Sequence, residues 1–98
     1  MSDKAIVVAE AGGADPLRFE VRVREGGGET RHVVTLSAAD LARLGAGKGG
    51  AELIEAVFAF LLDREPKEAI LRQFDVSVVG RYFPAFEREL PRYLARPA

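Results

Sequence analysis

The chain has 98 residues, 14 basic and 15 acidic, with a net charge of −1, 48% hydrophobic and 30% charged content. These values describe one folded domain and exclude a disordered chain. There is no cysteine, which excludes disulfides, thiolate metal sites and a cysteine nucleophile. A domain of this length buries roughly 60–65% of the surface its unfolded chain exposes. It must therefore live on a single core without staples, and the cytoplasm is its expected compartment.

Residues 1–11 hold a short apolar run at 5–9, too short for a signal-peptide core and flanked by acidic residues. The longest apolar run, 56–62, falls far below the roughly 18 residues that suggest a membrane span, so no membrane association is expected. In residues 17–24, Leu17, Phe19, Val21 and Val23 alternate with Arg18, Glu20, Arg22 and Arg24. Period two with one apolar face predicts a half-buried antiparallel strand. The glycines of EGGGE, 25–29, predict a turn, and residues 30–37 return. Pairing Glu25 with Thr30 places Val21 opposite Val34, Phe19 opposite Leu36 and Arg24 opposite Arg31, gathering the apolar residues on one face. Residues 4–10 can add a third strand through the turn at 11–16.

The remainder reads as helix. Ser37 and Asp40 form S-x-x-D ahead of Leu41 and Leu44, near a capping box; that helix is short because Gly45, Gly47, Gly49 and Gly50 follow. Residues 51–64 form a second helix. Glu52, Glu55, Ala56, Ala59 and Asp63 share a narrow stripe, while Leu53, Ile54, Val57, Phe58, Phe60, Leu61 and Leu62 cover an arc of roughly 200°, about twice what a surface helix needs. Pro66 suits the first turn of a third helix with Ile70, Leu71 and Phe74 on its apolar side. Asp75 can cap a short fourth helix bearing Val76, Val79 and Tyr82, which must stop at Phe83 before Pro84. A last helix can run from Pro84 to Leu90, limited by Pro91, with a frayed tail at 95–98.

Each chemical motif has a plainer alternative. GAGKGG at 45–50 lacks the first glycine, the terminal Ser/Thr and the preceding strand of a phosphate loop. What survives is a weak anion site at Lys48 and the helix start. His32 is the one histidine; without companions it makes neither a metal site nor a triad, and a structural role is expected. Arg22, Arg24 and Arg31 share the polar face of the hairpin, where an anion could bind, although a solvated face balanced by Glu10, Glu20 or Glu29 is the default. Residues 70–83 are close to a helix-turn-helix, but the polar positions that would reach base edges are missing and Arg72 and Arg81 stand nearly alone. Residues 67–98 carry 6 basic and 4 acidic groups, a net +2 that is no nucleic-acid footprint. Tyr82, Phe83, Phe86 and Tyr93 are half of the eight aromatic residues and fit either core or interface.

The segments REPKEAIL at 64–71, FDVS at 74–77 and YFP at 82–84 together resemble a pattern of short uncharacterised bacterial proteins, with "REPKE-x-I-L" followed by "F-D-x-S-V" and "Y-F-P-E-Y-E". Ala85 and Phe86 depart from the usual Glu and Tyr. The resemblance covers about a third of the chain and implies a cytoplasmic bacterial protein; it brings no activity, cofactor or catalytic residue.

The sequence therefore predicts one α+β domain over 1–98. Its antiparallel sheet of two or three strands lies within about 4–37, and three to five short helices over 38–94 pack on one face. No complete catalytic constellation is visible, and no cofactor or metal is expected. The expected function is a non-enzymatic protein–protein interaction module, pairing with itself as a homodimer or with another protein. Phe58, Leu62, Tyr82, Phe83, Phe86 and Tyr93 are the candidate interface. A regulatory nucleic-acid-binding protein using the helices of 67–90 is the alternative.

Overall fold

In the computed structural model, residues 4–96 are described. Strands β1 (Ala5–Glu10), β2 (Leu17–Glu25) and β3 (Gly28–Leu36) form an antiparallel meander. Helices α1 (Ala38–Leu44) and α2 (Gly50–Leu62) come next, then strand β4 (Gln73–Asp75) and helices α3 (Val79–Tyr82) and α4 (Phe86–Leu94). The sheet order is β1-β2-β3-β4, with β4 parallel to β3. The class is α+β as expected, but the sheet has four strands and is mixed. Its parallel pair is joined by the long crossover that such a pair requires, running through α1 and α2.

The hairpin turn is tighter than the sequence reading. Glu25 pairs with Gly28, leaving Gly26 and Gly27 as a two-residue loop with φ of 64° and 82°. Positive φ at both positions matches the right-handed twist of the strands, and glycine adopts it without strain. The register therefore shifts by two residues. Phe19 faces Val34, Val21 faces His32, and Arg24 faces Glu29 instead of Arg31. A two-residue shift preserves the faces, so Phe19, Val21, Val23, Val34 and Leu36 still line the core.

Ser37 caps α1 as expected, its Oγ accepting from Asp40 N at 3.0 Å. The wide apolar arc of α2 is divided between two layers. Phe58 lies over the sheet, 5.2 Å from the His32 ring and 5.9 Å from Phe74. Phe60 turns to the C-terminal segment and meets Phe83, Phe86 and Tyr93 edge-on at 5.8, 5.1 and 5.7 Å. The chain thus covers both sides of its central helix itself.

Two helices differ from expectation. Pro66 precedes a 3₁₀ turn at Lys67–Ala69, not a full helix, and Phe74 belongs to β4. Asp75 does cap the turn that leads into α3, accepting from Ser77 N at 3.0 Å. α4 starts at Phe86 and passes through Pro91. The backbone bond Pro91 cannot donate is offset at the far end of the helix. There Tyr93 Oη donates to Asp63 Oδ2 at 2.6 Å and accepts from Arg64 Nη1 at 3.2 Å. Arg96 lies 4.3 Å over the Tyr93 ring and pairs with Asp63 at 3.5 Å; of the tail expected to fray, residues 97–98 lie outside the described residues. Among the described residues no helix is long and apolar enough to cross a membrane.

Candidate functional site

Beyond the 3₁₀ turn the chain runs extended through Ile70, so Ile70 and Leu71 point opposite ways: Ile70 is buried, and Leu71 is 48% exposed. Asp75 then holds a tight turn into α3. Its carboxylate accepts from Thr35 Oγ1 at 2.5 Å and from Ser77 N at 3.0 Å. Burial pushes its pKa up, but the two donors outweigh it and the carboxyl sits below its usual range. This anchor fixes β4 to β3 and starts the turn that presents Tyr82, 66% exposed. Phe83, outside the helical region before Pro84, ends α3 as the sequence predicts.

Between these elements lies a groove of about 330 Å³. Leu61 and Phe74 form part of its floor, Val78 and Val79 one wall, and Leu71, Tyr82 and Phe83 its rim. Glu65 is the charged residue in its lining. Leu71 and Tyr82 are two of the three large hydrophobic side chains left exposed among the described residues; Val7 is the third. A small-molecule site ordinarily adds several convergent polar groups to such a pocket. Here the wall offers one carboxylate and one phenol.

His32 supports the groove from behind. The Leu71 carbonyl accepts from Nδ1 at 2.8 Å, which places the ring proton there, and Nε2 accepts from the Thr30 hydroxyl at 2.8 Å. The ring is buried. Desolvation lowers its pKa against the opposing effect of the Leu71 carbonyl, with Arg72 adding to the lowering. It is a neutral strut joining β3 to the Leu71 backbone, the structural role expected of it.

The other candidates separate. Of the six interface residues, Phe58, Phe86 and Tyr93 are buried inside the chain, and Leu62 and Phe83 are half-buried. Tyr82 stands out, and Phe83 shares its groove. Arg22, Arg24 and Arg31 project from the uncovered sheet face, with Glu29 taking Arg24 at 3.8 Å and Arg31 at 3.4 Å. Lys48 lies apart, in the loop before α2. There Gly49 N donates to Glu52 Oε1 at 3.2 Å, so the helix start already holds a carboxylate. Arg22 and Arg31 are direct cross-strand partners with Arg24 on the same face, and Lys48 does not join them. No group of three metal-ligating side chains occurs among the described residues. The sequence reading missed Leu71 and Glu65 as rim and wall, because at helical spacing Leu71 reads as core.

The chain matches none of the protein-family models, curated proteins or solved structures with which it was compared.

Proposed function

We propose that the protein is a non-enzymatic protein–protein interaction module of a bacterial cytoplasm, and that the groove rimmed by Leu71 and Tyr82 receives an apolar anchor from a partner protein. The supporting observation is the placing of two large apolar side chains in water at the mouth of an apolar cleft. Exposed apolar patches of this kind mark interaction surfaces. Such surfaces concentrate their energy in a few anchors seated in pockets. Glu65 sets the polarity of the partner, since a carboxylate in the wall favours a Lys or Arg beside the anchor. The segments 64–71, 74–77 and 82–84, which carry the resemblance to short bacterial proteins, supply Glu65, Ile70, Leu71, Phe74, Tyr82 and Phe83 to this groove. A major-groove reader needs a recognition helix. The turns here leave α3 four residues long, and nothing in the geometry favours nucleic acid.

Panning displayed random peptides against the full-length chain tests the reading. The enriched consensus should carry an aromatic or aliphatic residue next to Lys or Arg. Leu71→Ser or Tyr82→Ser should weaken the synthetic consensus peptide by about tenfold or more, the loss of one anchor. Glu65→Lys should weaken it as well. No enrichment, or a peptide indifferent to all three changes, overturns the reading.

A further inference from the structure

We propose that two copies of this chain pair through β1, edge to edge, into one continuous sheet. This deepens the interaction-module reading by naming one partner, a second copy, and rests on it, but it uses a surface separate from the groove. β1 is an outer strand of the four-stranded sheet and pairs with β2 alone. Natural edge strands are blunted by inward charges, proline or bulges. From Ala5 to Ala9 β1 carries no charge, proline or bulge, its flanking Lys4 and Glu10 are exposed at the two ends, and its register with β2 runs unbroken from Ala5↔Arg24 to Glu10↔Phe19. Val7, the third exposed large hydrophobic, stands 41% exposed on the uncovered face.

The occupant is specified by the strand itself. Residues 4–10 read KAIVVAE, and this stretch is complementary to its own reverse. In an antiparallel pair about a two-fold axis through Val7, Val7 meets Val7 of the second copy, Ile6 meets Val8, Ala5 meets Ala9 and Lys4 meets Glu10. Alternation puts Ile6, Val8 and the two flanking charges on the helix side, and the alanines and Val7 on the open face. Every apolar side chain meets one of matching size, and both terminal pairs are of opposite charge, the cross-strand pairings that stabilise a sheet; within its own chain the Lys4 charge also acts on Asp63. The helix side has room for them. A cleft of about 510 Å³ opens beside Ile6, with Ala56, Ala59 and Leu94 on its apolar side and Glu52, Glu55 and Arg96 among its charged lining. One self-complementary patch is what a two-fold interface requires. Its small size places the pair among weak, reversible associations.

Sedimentation equilibrium of the full-length chain, in a series reaching the submillimolar range, should show a monomer of 10.6 kDa in reversible equilibrium with its dimer. Val7→Lys, a substitution at an exposed position, sets two lysines opposite each other and should abolish the dimer. Lys4→Glu and Glu10→Lys should each weaken pairing by about tenfold, because both symmetry-related pairs become like-charged. An equimolar mixture of these two variants should restore it, since each then faces its opposite. A monomer throughout the series, or a dimer indifferent to Val7→Lys and to mixing, overturns the proposal. Either result leaves the groove reading to its own peptide test.

Discussion

Replacing Phe60 by alanine removes the ring on which the C-terminal third of the chain is built. Phe60 has no exposed surface, meets three other rings within 5.8 Å, and carries the Arg64 guanidinium 3.7 Å above its face. A buried Phe→Ala change costs about 3–5 kcal/mol through lost transfer energy and the cavity left behind. The edge-on partners and the stacked cation put this site toward the upper part of that range. A domain of this size has about 5–15 kcal/mol in total. With a urea slope of about 1–3 kcal/mol/M, the unfolding midpoint should fall by about 2 M. Leu62→Ala, close by on the same helix and half-buried, should cost less than half as much. A Phe60→Ala loss below about 1 kcal/mol would mean that α4 does not close over α2, and the division of the helix between two layers would be wrong.

Gly50→Ala places a methyl 2.7 Å from Cζ of the buried Phe19 and 3.4 Å from Leu17 Cδ1, so urea unfolding should show a net loss of about 1–2 kcal/mol from overpacking; a neutral or more stable variant would show that the helix start does not press on the sheet. Stability should also fall as pH drops below the ordinary histidine value of about 6.5. The unfolded chain then gains a proton that the folded His32, with its lowered pKa, does not take up until lower pH. His32→Gln should flatten that part of the profile, above the range where carboxylates titrate; a wild-type midpoint constant from pH 7 to about 5 would contradict the buried neutral strut.

Strict alternation over residues 17–24 made β2 readable, because a half-buried strand leaves a signal in every residue. The β2–β3 register was less so. EGGGE closes either a two-residue or a four-residue loop without changing which side chains face inward, so only the twist-matched geometry of Gly26 and Gly27 decides. β4 left no signal. Three residues cannot show a period, and Ile70, Leu71 and Phe74 stand at spacing equally suited to a helix face. The breadth of α2 was plain, whereas the identity of its second cover depended on whether α4 would continue past Pro91. It does, held by Tyr93 against Asp63 and Arg64. That closure buries Phe86 and Tyr93 in the core, whereas Phe58 is buried on the sheet side against His32 and Phe74. Leu71 and Tyr82, eleven positions apart in sequence, line the same groove.

The groove is tested most directly by nuclear magnetic resonance of the isotope-labelled full-length chain, titrated with the selected peptide. Shifts should concentrate at Glu65, Leu71, Val78, Tyr82 and Phe83, with the Arg22, Arg24 and Arg31 face unmoved. Shifts centred on that arginine face, or on the Lys48 loop, would contradict the assignment of the groove as the surface through which this protein meets its partner.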